Sequence, residues 1–164
     1  MSEYKYLIEA IEKKDMEDFE FWLDMESITP TMYDNGPIKS AIMENANDIL
    51  TYLIELEEVD ELVKSMPDPY LLLACKSGNY AMVTLLIVGY SADVNAKDSS
   101  PLKIACKEGH INIVKFLLEN EDLYDPSIEN NAALRYAQMN KHTDIVDELM
   151  KIKTVILKDK EMLK

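Results

Sequence analysis

Glycine and proline are scarce in this sequence. Only four glycines and six prolines occur among 164 residues, and no Gly/Ser-rich or Pro-rich stretch divides the chain. Because such stretches are typical of linkers, we expect one domain over residues 1–164. Apolar runs such as Leu85 to Val88 are far shorter than the roughly 20 residues of a membrane-spanning helix. The N-terminus is acidic and has no small-residue cleavage site, so we expect no signal peptide, no membrane binding and a cytoplasmic location.

Catalytic and metal-binding side chains are also scarce. The two histidines, His110 and His142, are 32 residues apart, and the two cysteines, Cys75 and Cys106, are 31 apart. No Cys-x-x-Cys pair is present to begin a zinc site, and the sequence has no phosphate-loop, nucleophile-elbow or His-Glu-x-x-His motif. We therefore predict no catalytic residue, no cofactor and no metal. We expect both cysteines to be reduced core residues, since free cysteine packs as a small apolar side chain.

What the sequence does contain is a motif that occurs five times. One alanine of the motif recurs with successive spacings of 31, 33, 31 and 32 residues, which is typical of stacked repeats. The repeats span approximately residues 1–29, 30–65, 66–98, 99–129 and 130–164, and their alanines are Ala10, Ala41, Ala74, Ala105 and Ala137.

Each repeat has the apolar spacing of two short amphipathic helices. In the fourth repeat, Leu102 and Ala105 belong to the first helix, and Ile113, Val114 and Leu117 belong to the second. The small alanine allows the first helix to approach its neighbours closely. We therefore predict a stack in which each repeat covers the apolar face of the next.

The turn between the two helices favours a residue that tolerates a left-handed backbone. Gly78, Gly109 and Asn45 suit this place, whereas Lys14 and Lys141 hold it in the first and last repeats without that advantage. The two histidines follow this turn directly in the fourth and fifth repeats. We expect them to pack and to form hydrogen bonds between repeats.

The fourth repeat has a characteristic set of residues: Pro101, Leu102, Ala105, Gly109, His110, Ile113, Val114, Leu117 and Leu118. With this set and its counterparts in the fifth repeat, the two repeats resemble the ankyrin repeat family, and the segment "SADVNA", Ser91 to Ala96, resembles that family's inter-repeat turn. The resemblance implies an all-α solenoid of about five helix-turn-helix repeats joined by short turns or hairpins. It also implies a non-catalytic module that binds another protein. We further expect the chain to be monomeric in isolation. The use of Asn, Ile and Lys resembles ankyrin proteins of large viruses, amoebae and intracellular bacteria, for which the location would be a host cytoplasm.

The resemblance further implies that the partner lies in a concave groove formed by the turn tips and the first helices. Interface cores are enriched in Met and aromatic side chains, which favours Met32, Tyr33 and Tyr70. Tyr70 has a second interpretation, because it stands where other repeats place proline and could pack there. The implied partner-binding residues are Met32, Tyr33, Asp34, Asn35, Met43, Glu44, Asp68, Tyr70, Lys76, Ser77, Lys97, Asp98, Ser99, Lys107, Glu108, Glu129, Asn130, Asn131, Met139 and Asn140.

Negative charge is concentrated in the first two repeats. Residues 1–66 carry 5 Lys and 17 Asp or Glu, a net of −12, whereas residues 67–164 carry 12 Lys or Arg and 14 acids, a net of −2. Such a field repels nucleic acid and attracts a basic surface, so we expect no direct nucleic-acid binding. The densest acidic stretches are Asp15 to Glu26 and Glu55 to Glu61. The first of them also contains Phe19, Phe21 and Trp22, which cannot all face inward on one helix.

Three interpretations of this charge remain open. The acids could keep the terminal repeats soluble, because such repeats need a polar outer face. They could instead attract a basic protein, in which case the chain is an acidic inhibitor that mimics the phosphate backbone and blocks a nucleic-acid-binding protein. A third interpretation is a structural or self-associating array.

Overall fold

The computed structural model describes residues 2–25, 28–94, 101–119 and 132–151. All regular structure in these ranges is helical, as the sequence predicts. None of the helices described is long and apolar enough to cross a membrane. The elements are α1 (Ser2–Lys13), α2 (Met16–Leu23), α3 (Met32–Glu44), α4 (Asn47–Glu55), α5 (Glu57–Ser65), α6 (Pro67–Ser77), α7 (Tyr80–Thr84), a π-helical segment (Leu85–Gly89), α8 (Pro101–Glu108), α9 (Ile111–Glu119), α10 (Ala132–Met139) and α11 (143–151).

The chain forms two compact units, residues 1–93 and residues 94–164, called unit 1 and unit 2 below. Unit 1 contains α1 to α7 and the π segment, and unit 2 contains α8 to α11. In unit 1, α3 packs between α1 and α6, while α10 packs on α8 in unit 2. The expectation of a single domain stays a prediction.

The repeat alanines lie in the first helices, as predicted, and none is more than 2% exposed. Their short side chains allow the close contacts between α1, α3 and α6 and between α8 and α10. The second helices bury larger side chains, such as Ile49, Leu53, Ile113 and Val114. Each such side chain contributes about 1.5–3 kcal/mol when it is fully removed from water.

The left-handed turn between the helices of each repeat is confirmed at all five places. Asn45 also donates a hydrogen bond from its side-chain amide to the Ser77 carbonyl oxygen at 3.2 Å, which links the second repeat to the third. The φ angles are 56° at Lys14, 53° at Asn45, 77° at Gly78, 88° at Gly109 and 63° at Lys141.

One connection between repeats differs from the short turn that the sequence predicts. The acidic stretch after α4 forms the additional helix α5, whose Val59 and Val63 are fully buried. These two valines are four residues apart and therefore lie on one face of the helix. The hydroxyl of Tyr90 donates to the carboxylate of Asp60 at 2.7 Å, which fixes α5 to the end of the third repeat.

Two helices depart from regular α-helical geometry. Tyr33, Asp34 and Asn35 at the start of α3 have left-handed backbones, and the right-handed part of the helix follows them. The second helix of the third repeat changes from α7 to the π segment at Leu85. There the Tyr90 backbone N–H donates to the Leu85 carbonyl oxygen at 3.2 Å, five residues back.

Candidate protein-binding surfaces

The ends of the first helices in unit 1 present one large apolar side chain among polar ones. Met43, near the end of α3, is 53% exposed, and Glu44 beside it is also exposed. In α6 the equivalent residues are Lys76, which is exposed, and Ser77, which is half-buried. The Ser77 hydroxyl donates to the Ile42 carbonyl oxygen at 3.0 Å. Ser77 therefore connects α6 to α3 and presents less surface than its predicted role requires.

The turn at the start of α3 presents an aromatic side chain that is held in place. Tyr33 is 54% exposed, yet its ring packs on Tyr4 with 4.3 Å between the ring centroids. Burial of Tyr4 and its proximity to Tyr33 raise the pKa of the Tyr4 hydroxyl. Gly36 lies directly under the Tyr4 hydroxyl, where a Cβ atom would collide with it. Tyr4 thus packs against both Gly36 and the Tyr33 ring in this turn.

The same turn has a costly backbone. A left-handed conformation costs an L residue about 1–2 kcal/mol, and Tyr33, Asp34 and Asn35 adopt it in succession. The carboxylate of Asp34 is 2.6 Å from the ammonium group of Lys39, and the Asp34 side chain is 90% exposed. Met32 precedes them and is half-buried. The turn therefore combines backbone strain with an exposed ring and an exposed carboxylate.

Tyr70 does not belong to the exposed set, which corrects its assignment as a surface anchor. It is only 2% exposed, and it lies four residues before the buried Ala74 on the same face of α6. Burial and the negative charge of Asp34 raise the pKa of the Tyr70 hydroxyl. The alternative interpretation, in which Tyr70 packs inside its repeat, describes this position correctly.

Asp68 supports the end of the third repeat. Its carboxylate accepts a hydrogen bond from the Asp93 backbone N–H at 2.9 Å, and its side chain is half-buried. The Ala92 backbone N–H donates to the Leu86 carbonyl oxygen in the same segment. Asp68 therefore has a structural role in addition to its predicted place at a turn tip.

In unit 2 the equivalent residues of the first helices are exposed. Lys107 and Glu108 lie at the end of α8 and form an ion pair with each other at 3.2 Å. Met139, at the end of α10, is 76% exposed, and Asn140 follows it on the surface. The remaining predicted turn-tip residues lie outside the described residues: Lys97, Asp98, Ser99, Glu129, Asn130 and Asn131.

His142 connects the two repeats of unit 2. Its Nε2 atom is 3.0 Å from the carbonyl oxygen of Lys107 in the preceding repeat. Since a carbonyl oxygen only accepts, Nε2 carries the proton of this hydrogen bond. The prediction that this histidine joins neighbouring repeats is confirmed.

Comparison with protein-family models agrees with this arrangement. The model described as ankyrin repeats, in three copies, matches residues 71–159, which is more than half of the chain. The chain belongs to the ankyrin repeat family. Ankyrin repeats are non-catalytic modules that mediate interactions between proteins.

Curated proteins include two relatives that match about half of this ankyrin chain. Alpha-latrocrustotoxin-Lt1a of Latrodectus tredecimguttatus is 35% identical over 86 residues, which are 51% of this chain and 6% of the toxin. Putative ankyrin repeat protein L72 of Acanthamoeba polyphaga mimivirus is 37% identical over 86 residues, which are 52% of this chain and 21% of that protein. The chain thus corresponds to a minor part of each relative's length.

Both cysteines of this ankyrin chain are buried, as predicted. Cys75 and Cys106 are free and fully buried, and burial raises the pKa of each thiol to about 12. A thiol with so high a pKa stays protonated near neutral pH and is a poor nucleophile. Among the described residues, no group of three or more His, Cys, Asp or Glu side chains is placed to hold a metal ion.

The aromatic side chains of α2 divide between core and surface, as the sequence predicts. Phe19 is fully buried, whereas Phe21 is 57% exposed. Trp22 is half-buried and stacks on Tyr6 with 4.9 Å between the ring centroids.

The acids of α5 also divide into two groups. Glu57, Glu58 and Glu61 are exposed, while Asp60 binds Tyr90 and Lys64. The hydrogen bond from Lys64, followed by that from Tyr90, holds the pKa of the Asp60 carboxyl below its usual value. Three glutamates of α5 are therefore available to a partner, and Asp60 stabilises the repeat.

One surface of this ankyrin array is not among those predicted from the sequence. A groove of about 340 Å³ lies between α4 and the second helix of the third repeat. Leu85 and Val88 of that helix are 38% and 73% exposed, although neither is polar. The absence of any charged residue from Tyr80 to Gly89 is the signal that marks it. The groove is lined by Asn47, Leu50, Thr51, Ile54, Glu55, Ala81, Met82 and Leu85.

Proposed function

We propose that this ankyrin chain is a non-catalytic, cytoplasmic protein-binding module that acts as a monomer. Its partner, a protein with a basic surface, contacts the first-helix face of unit 1, defined as Met32–Asn35 together with Met43, Glu44 and Lys76. One observation carries the proposal: Tyr33 and Met43 are both more than half exposed, and each stands next to a carboxylate in the sequence. The exposed parts of these two side chains do not contribute to the core.

The two apolar side chains would supply the affinity. Partner binding would bury the exposed parts of the Tyr33 ring and the Met43 side chain, and interface cores are enriched in these residue types. The Tyr33 ring is already held by Tyr4 in the free protein. Because this contact already restricts the Tyr33 side chain, Tyr33 would lose less conformational entropy than a free side chain when the partner binds.

The acidic residues would supply the rate of encounter. Asp34 and Glu44 adjoin the two anchors, and the exposed glutamates of α5 belong to the same unit. The net charge of −12 over residues 1–66 would attract a basic protein and repel an acidic one.

Affinity capture with a matched control tests this proposal. The chain, a Tyr33→Ala/Met43→Ala variant and a Met139→Ala control are each immobilised, and proteins retained from native cytosol are identified by mass spectrometry. Met139 is a suitable control because it is also an exposed methionine but lies in unit 2. The proposal expects a basic protein that the chain and the control retain and the double variant loses. Equal retention by all three would overturn it.

The charge distribution favours a second candidate function, in which the chain inhibits a nucleic-acid-binding protein. The first two repeats would then occupy the basic surface that otherwise binds phosphates. In that case, the chain displaces a fluorescent DNA or RNA duplex from the captured protein in a competition titration. If the captured protein binds the chain and the duplex at the same time, the chain is not such an inhibitor, and only the general protein-binding function is supported.

A further inference from the structure

The second helix of the third repeat differs from its counterparts at its exposed positions. Two such positions, seven and fourteen residues after the repeat alanine, hold Ala81 and Val88 in this repeat. No other repeat has an apolar residue at either position. The counterparts of Ala81 are Glu17, Asp48, Asn112 and Asp144, and those of Val88 are Asp24, Glu55, Glu119 and Lys151.

These apolar residues are not part of the core. The buried face of the helix is formed by Met82, Val83 and Leu86, which are at most 1% exposed. Leu85 and Val88 lie on the other side, and the Val88 side chain is 73% exposed. Single exposed apolar residues are common on proteins, but here they occur together on a segment without charges. A contiguous apolar surface of this kind is typical of an interaction site.

The apolar residues continue into the groove between the two second helices. Leu50 and Ile54 of α4 line one side, and Met82 and Leu85 line the other. At Leu85 the backbone changes to π-helical geometry, which is rare and frequently occurs at functional sites. Such a groove between two helices matches the apolar face of a third helix, as in other helix-in-groove complexes.

The charge around the groove indicates which kind of helix would bind there. Glu55 is the charged residue among the lining side chains, and it belongs to α4, which has no basic residue. The exposed Glu57 and Glu58 follow at the start of α5. A second copy of the chain is disfavoured, because it has a net charge of −14 and would bring acids against acids.

We propose that the groove between α4 and the second helix of the third repeat binds a basic amphipathic helix of a partner protein. Leu, Ile or Met side chains of that helix enter the groove, and its Lys or Arg side chains pair with Glu55 and with the glutamates that follow it, Glu57 and Glu58. This surface is formed by second helices and is separate from the first-helix face proposed above. One partner could therefore contact both surfaces, or two partners could bind at once.

A synthetic helix provides the probe for this proposal. The peptide has about 18 residues, with leucines at the spacing of one helical face and lysines elsewhere. Its binding to the full chain is followed by fluorescence anisotropy. A peptide of the same composition, with the leucines distributed around the helix, serves as its control. The proposal expects the amphipathic peptide to bind at least about tenfold more tightly than the control peptide. Equal binding of the two peptides would overturn the proposal.

An Ala81→Asp/Val88→Glu variant separates groove binding from simple charge attraction. Acids already occupy both places in the first two repeats, so the substitutions suit the exposed side of the helix. The variant adds two negative charges, and charge attraction alone would therefore tighten peptide binding. Groove binding instead predicts about tenfold weaker binding, whereas a Met139→Glu control retains the native affinity. Unchanged or tighter binding by the double variant would contradict the proposal.

Two further measurements keep the test independent of folding. A Glu55→Lys variant reverses the charge of the one charged side chain that lines the groove. This variant should bind the Leu/Lys peptide more weakly than the native chain does, and should bind a Leu/Glu peptide more tightly. Sedimentation of the native chain tests the alternative occupant. A dimer that forms with concentration and is lost in the Ala81→Asp/Val88→Glu variant would assign the groove to a second copy and overturn the proposal.

Discussion

The imidazole ring of His142 lies directly over Gly109. A Cβ atom on Gly109 would be 2.5 Å from Cε1 and 2.8 Å from Nδ1 of that ring. The backbone of Gly109 has a φ of +88°, which other residues adopt at a cost. Glycine at this place therefore allows both the left-handed turn within the fourth repeat and the close approach of the His142 ring from the fifth.

Replacing Gly109 by alanine should destabilise unit 2 for both reasons. The left-handed backbone alone costs alanine about 1–2 kcal/mol, and the contact with the ring adds to this cost. We expect the free energy of unfolding to fall by at least about 2 kcal/mol, measured by denaturant titration.

A double-mutant cycle with His142→Ala separates the two causes. In the single His142→Ala variant the free energy of unfolding should fall by about 1 kcal/mol, because the hydrogen bond from His142 to the Lys107 carbonyl is removed. In the Gly109→Ala/His142→Ala variant the steric contact no longer exists, so the loss should be smaller than the sum of the single losses. Strict additivity would show that the ring does not restrict position 109.

Glycine should stabilise the protein at the two turns where a lysine has a left-handed backbone. Lys14 and Lys141 have φ values of 56° and 63° and exposed side chains. Each Lys→Gly substitution should raise the free energy of unfolding by about 0.5–1 kcal/mol, the strain removed less the entropy that glycine gains when unfolded. The matched control is Lys115→Gly within α9, a substitution that should lower the free energy of unfolding by about 1 kcal/mol. If all three variants lose stability, the strain at these turns is smaller than the angles indicate.

The sequence predicts those features of the fold that depend on local residue type and spacing. The repeat alanines, the left-handed turns and the buried cysteines follow from side-chain size and helical period. The helix α5 is hard to predict from the sequence, because only two valines among many charged residues mark its buried face. Residue type alone favours an interface position for Tyr70, whereas the structure places it four residues before Ala74 on the buried face of α6.

In the candidate binding surfaces, too, local features are predictable from the sequence and contacts between repeats are not. Exposure of Met43 and Tyr33 agrees with their place in the repeat, but the packing of Tyr4 on Tyr33 depends on contact between different repeats. The exposed side of Val88 depends on how the second helices pack. Comparison of equivalent positions among the five repeats would have identified Val88 from the sequence.

Tyr90 should make stability fall at high pH. Burial, the hydrogen bond to Asp60 and the negative charge of that carboxylate raise the pKa of Tyr90 to about 12. Between about pH 10 and about pH 12 the unfolded chain therefore releases a proton that the folded chain keeps, and stability decreases as pH rises. Tyr90→Phe and Asp60→Asn should each make this decrease shallower, measured by denaturant titration at several pH values. An unchanged slope in both variants would contradict the role given to this hydrogen bond.

The association rate of the captured partner tests most directly whether the acidic first two repeats bind it. Raising the salt concentration from about 50 to about 500 mM shortens the Debye length from roughly 14 to roughly 4 Å. Surface plasmon resonance should then show much slower association and little change in dissociation. A Glu57→Lys/Glu58→Lys/Glu61→Lys variant should associate at least about tenfold more slowly, whereas the same reversal at Glu108, Glu119 and Asp144 in unit 2 should have a smaller effect. Association that is indifferent to salt and to both sets of reversals would show that these acids only keep the chain soluble.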